Sequence, residues 1–97
     1  MTNINQEENE RFIQMADAFI SEANRQCDIA EDPDHQLVHA SLLYASARFS
    51  AFVTASLSKS KKHYQQSIDE AVEFYTQEFN KMLKEHMKQY EVAFDKK

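Results

Sequence analysis

Two histidines at a metal-binding spacing are the first residues to weigh. His35 and His39, in the run His-Gln-Leu-Val-His, are four apart, which sets two imidazoles on one side of a helix with Asp32 close by in sequence. A zinc site can be built on such a pair. A zinc hydrolase would carry a glutamate directly after the first histidine, and Gln36 stands there instead. The ferritin-like di-iron pattern needs Glu-x-x-His on two helices, and none of the four histidines has a glutamate three residues before it. His35 and His39 are therefore read as a chance surface pair, and no metal or cofactor is expected. Cys27 is the single cysteine, so it has no disulfide partner within the chain. As a nucleophile it would need a base and an orienting group. It closes an apolar stripe, and is expected to be a small, reduced, shielded core residue. His86 falls on an apolar seam and is read as a packed or interface histidine rather than a ligand. No catalytic residue emerges, and the chain is not expected to be an enzyme.

Arg48 is the remaining chemical candidate. It is the only charged residue among residues 35–57, and Tyr44 lies one helical turn before it. A guanidinium in apolar surroundings needs acceptors for its five N–H donors. One reading is a buried ion pair with Asp17, Glu22 or Glu78. The other is a polar pocket around Tyr44 and Arg48 that takes a small molecule or an anion.

These candidates must be positioned by helices, because the 97 residues include no glycine and a single proline. Average usage would supply roughly 7% glycine. Tight hairpins and phosphate-cradling loops depend on it, so a β fold and Gly-rich nucleotide motifs are excluded. At this length one core is expected, hence a single helical domain over residues 1–97. Charge is uneven: residues 1–34 hold nine acids and two bases, and residues 58–97 hold eight bases and seven acids. An acidic chain without a broad basic face makes nucleic acid an unexpected partner. Lys59, Lys61 and Lys62 are read as a solvated interhelical loop. The first residues have neither a basic start nor an apolar h-region, so a cytoplasmic address is expected.

Three periodic segments follow, at about residues 6–27, 33–57 and 60–95. In the first, Phe12, Ala16, Phe19, Ile20, Ala23 and Cys27 recur at three and four, with Asn5 and Glu8 placed to cap its start. In the second, Asp32 is expected as N-cap, Pro33 as the first helical residue and Asp34 as a negative charge in the first turn. Positions 38, 42, 45, 49, 52 and 56 make a heptad-like seam. Leu43, Tyr44 and the small strip Ala47, Ala51 and Ala55 occupy other faces, so this helix is expected to be buried nearly all round. It is not expected to span a membrane, since Arg48 at its centre would cost about 2.5–3.5 kcal/mol on insertion scales. Ser58 or Ser60 is placed to cap the third helix. Its seam runs through Ile68, Val72, Tyr75, Phe79, Met82 and His86, and a rotated stripe of Leu83, Met87, Tyr90 and Phe94 carries apolar residues almost to the end. Pairs of Glu78 with Lys81 and Lys81 with Glu85 are expected on its polar side.

The run Ala-Ser-Leu-Leu-Tyr-Ala-Ser-Ala-Arg-Phe-Ser-Ala-Phe over residues 40–52, with Phe-Tyr-Thr-Gln-Glu-Phe-Asn-Lys-Met-Leu over 74–83 and the segment 12–24, resembles a family of short, all-helical, uncharacterised proteobacterial proteins. That resemblance implies a bacterial, cytoplasmic protein and supplies no activity. The whole reading is an all-α three-helix bundle with a long C-terminal helix, assembled as a homo-oligomer, most simply a homodimer. Its expected role is that of a non-enzymatic interaction or scaffold protein, whose partner is itself or another protein. The interface is expected at Leu83, Met87, Tyr90 and Phe94, or on the Ala47, Ala51, Ala55 strip, because these faces exceed the apolar patch a soluble monomer tolerates. The alternative is a small-molecule or anion-binding regulator using Tyr44 and Arg48.

Overall fold

Apolar residues at spacings of three and four, with neither glycine nor an internal proline to interrupt them, fold into three helices. The computed structural model describes residues 5–29, 31 and 34–96, and among these it contains helices and no strand. Helix α1 spans Gln6–Ile29, α2 His35–Ser56 and α3 Lys61–Phe94. At 1.5 Å per residue, the 34 residues of α3 run for roughly 51 Å.

Each start is set by a short polar side chain. The Glu8 N–H donates to Asn5 Oδ1 at 2.8 Å, as the Asn5 to Glu8 spacing suggests. Ser60 is the N-cap of α3: its backbone is extended and its Oγ accepts from the His63 N–H at 3.1 Å. At α2 the cap differs from expectation. Asp34, not Asp32, accepts the Leu37 N–H at 3.0 Å through Oδ1, and its carbonyl takes the first helical bond from Val38. Asp34 thus does the work assigned to Asp32, because its carboxylate stands the required three residues before an unsatisfied N–H. Asp32 and Pro33 lie outside the described residues. Helix α3 ends without any left-handed residue: Asp95 keeps α-region torsions, and its N–H closes onto the Val92 carbonyl at 3.1 Å. That tight last turn is the available ending for a chain that lacks glycine.

The contacts divide the chain into two units, Met1–Ala47 and Arg48–Lys97, with the division inside α2. In the first unit, Cys27 of α1 is buried and Ala23 and Val38 are half-buried. In the second, the half-buried positions are Ser50, Val53, Thr54 and Ser58, followed by Tyr64, Ser67, Ala71 and Glu78. Several of these carry hydroxyls that are satisfied locally. Thr54 Oγ1 donates to the Ser50 carbonyl at 3.0 Å, Ser58 Oγ to that of Thr54 at 2.8 Å, and Ser67 Oγ to that of His63 at 2.8 Å. A hydroxyl bonded back to its own helix can be drawn out of water at little cost. The withdrawn surface is thus made mainly of small side chains.

The large apolar side chains are not withdrawn. Cys27 is the sole buried hydrophobic among the described residues, while Phe12, Phe19, Phe49, Phe52, Phe79 and Met87 are all exposed. Helix α2 contains no buried residue, which overturns the expectation that it is covered nearly all round. Apolar composition states what a helix has to hide, whereas the faces able to hide it come from elements distant in sequence.

Candidate functional site

Tyr44 and Arg48 sit on consecutive turns of α2, and both are exposed. Arg48 is exposed, and within its own unit it makes no ion pair with Glu78 among the described residues, while Asp17 and Glu22 belong to the other unit. Among the described residues the ion pair is Arg25 with Glu22, three apart on α1. Arg25 Nε donates to Glu22 Oε2 at 2.7 Å, its second terminal nitrogen reaches the other carboxylate oxygen, and Gln26 Nε2 adds a bond at 2.9 Å. The Arg25 hydrogen bond, helped by that from Gln26, holds the Glu22 carboxyl down at about 2, and the Arg25 guanidinium is raised in turn. Glu22 thus finds its cation one turn away, at no cost in loop closure. The pairs expected between Glu78 and Lys81 and between Lys81 and Glu85 do not close among the described residues.

His35 and His39 are exposed on α2, and among the described residues no three His, Cys, Asp or Glu side chains gather as a metal cage would require. Cys27 is a free thiol and is buried. His86 is exposed, with Nδ1 3.4 Å from Gln89 Oε1 on the next turn.

At the start of α3 lies an arrangement that the residue types alone did not single out. The Ser60 Oγ takes the His63 N–H, while His63 Nδ1 accepts the Lys59 N–H at 3.0 Å. This has the form of a capping box with histidine in the usual place of glutamate. The signal was legible in Ser-Lys-Lys-His, as a serine followed three residues later by an acceptor. Its role is to order the turn before α3.

An open depression of about 270 Å³ lies along α3, lined by Ser67, Glu70, Ala71, Phe74 and Tyr75. All five belong to one helix, so it is a groove between side chains rather than an enclosed cavity, and it offers the Glu70 carboxylate, the hydroxyls of Ser67 and Tyr75, and no cation. Neither Tyr44 nor Arg48 lines it.

The most extensive chemical feature is apolar surface. Along α3, Ile68, Val72, Tyr75, Phe79 and Met82 are 38, 59, 37, 48 and 45% exposed. The stripe beside it is also open, with Leu83 at 40%, Met87 at 62% and Tyr90 at 71%, and Phe94 is exposed as well. Ala47, Ala51 and Ala55 on α2 are exposed too. No helix among the described residues is long and apolar enough to cross a membrane.

Residues 12–91 match the model of a family described as a protein of unknown function, DUF3144, and the chain belongs to that family. No curated protein and no solved structure matches the chain.

Proposed function

We propose that this member of the DUF3144 family is a helical interaction protein that works in the cytoplasm as a homo-oligomer, most simply a two-fold dimer, and catalyses no reaction. The observation that carries this reading is the inversion of exposure: one buried hydrophobic residue, Cys27, against a long series of open aromatic and aliphatic side chains on all three helices. Ordering a residue costs about 1–2 kcal/mol of backbone entropy, and burial of apolar surface is the main compensation. Helices that leave Phe12, Phe49, Phe79 and Met87 in water forgo most of it. A second copy presents the same faces and can cover them symmetrically, since a two-fold interface uses one patch on both subunits.

Sedimentation or light scattering at micromolar concentration tests the proposal, with a species of at least twice 11.4 kDa as the expected result. A folded 11.4 kDa monomer would overturn it. The rival reading, an anion-binding regulator, draws support from Arg48, which is exposed and has no carboxylate partner among the described residues. Titration with inorganic phosphate decides that point: saturable binding lost in Arg48→Ala would favour the regulator.

A further inference from the structure

We infer that the second copy is held by α3 against α3, side by side and in register, with the helices pointing the same way along the seam of Ile68, Val72, Tyr75, Phe79 and Met82. The inference rests on the self-association proposed above and specifies its geometry.

The five residues recur at four, three, four and three, so Val72 and Phe79 take heptad position a, and Ile68, Tyr75 and Met82 take position d. All five are open to solvent, as a seam awaiting a partner must be. In a parallel, in-register pair each a residue meets its own copy and each d residue does likewise, so all five layers are apolar. An antiparallel pair sets a against d of the partner. With three d positions and two a positions, no antiparallel register matches more than four apolar layers.

Charge disfavours one of the two antiparallel registers that match four apolar layers. The positions flanking the seam are Ala71, Glu78 and Glu85 at g and Asp69, Thr76, Leu83 and Tyr90 at e. A parallel pair lays g of one copy against the following e of the other, so Glu78 faces leucine and Glu85 faces tyrosine, with their methylene stems over apolar surface. An antiparallel pair sets g against g, and the register pairing Val72 with methionine and Tyr75 with phenylalanine of the partner brings the two Glu78 carboxylates together. Like charges across a seam disfavour that pairing. This also gives the Leu83 and Tyr90 stripe its role as the flank of the contact.

Register is set at the far end. His86 occupies the next a position and Gln89 the next d, and the two side chains already approach each other at 3.4 Å. A polar layer at a single a position fixes register at a cost in stability. A slip of one heptad would press an imidazole onto Phe79 of the partner.

Cysteine cross-linking tests the geometry. In a Cys27→Ala background, Val72→Cys and His86→Cys are each oxidised under mild conditions. Both are expected to give disulfide-linked dimers, because in-register a positions face their own copies. Two sites 14 residues apart, roughly 21 Å along a helix, cannot both lie at the two-fold of an antiparallel pair. A dimer in which at most one of them links would overturn the parallel seam and leave self-association standing, whereas a monomer by sedimentation would remove both. Affinity supplies an independent reading that misfolding cannot imitate. His86→Leu is expected to tighten the dimer by at least about tenfold, and Phe79→Glu to weaken it on the order of 100-fold with helicity retained. An unchanged dissociation constant in both variants would place the interface elsewhere.

Discussion

Within residues 48–97 two kinds of surface alternate around the same helices. One is half-buried and made of Ser50, Val53, Thr54, Ser58, Ser67 and Ala71, and the other is open and made of Phe49, Phe52, Ile68, Val72, Phe79 and Met82. Hydrophobicity alone would assign them the other way round. Small side chains let backbones come close, and hydroxyls bonded to their own helix bring no unsatisfied donor with them. The large apolar residues are left open to solvent. The contrast teaches that the residues a chain hides within itself and those that would drive its assembly can be separate sets.

The sharpest break of that contrast is to enlarge the half-buried set. Ser67→Leu is expected to destabilise the protein by about 1–3 kcal/mol through overpacking, read from urea denaturation. A stabilised variant would mean that Ser67 borders empty space. Smaller is the loss of the helix cap: Ser60→Ala should cost about 1 kcal/mol, since the His63 N–H loses its acceptor and the start of α3 frays. Hydrogen exchange at residues 61–64 would locate the fraying, and protection there equal to wild type would contradict it.

Arg48→Ala comes next, with a change below about 1 kcal/mol, the ordinary effect of an exposed side chain without a partner. A loss of 3 kcal/mol or more, as expected when a buried ion pair is broken, would mean that assembly closes over Arg48. The smallest effect belongs to Glu22 and Arg25. Because the Glu22 carboxyl titrates at about 2 in the folded chain against an ordinary 4.5, the pair contributes stability above pH 4.5 and loses it as pH falls toward 2. Both groups are solvated, so the slope is small. Denaturation midpoints measured from pH 5 to pH 2 in wild type and Glu22→Gln should converge at the acid end, and parallel curves would show that the pair adds nothing.

Much was determined by sequence alone. Three helices could be placed from periodicity and the lack of glycine, the cap Asn5 from its spacing to Glu8, and the cap of α3 as far as the choice between Ser58 and Ser60, of which Ser60 serves. The burial of Cys27 followed from its place on the α1 stripe. These are local matters: a hydrogen bond from residue i to i+3 or i+4 is decided by neighbours in the chain. The pairing of Glu22 with Arg25 was legible in principle for the same reason. What the tertiary structure decided was which faces are covered. Helix α2 reads as apolar nearly all round, yet no spacing within it reveals whether Phe49 or Ser50 turns toward another helix. Periodicity fixes the angle between two residues on one helix, whereas burial depends on the absolute rotation of that helix against surfaces distant in sequence, and only the folded chain contains that information.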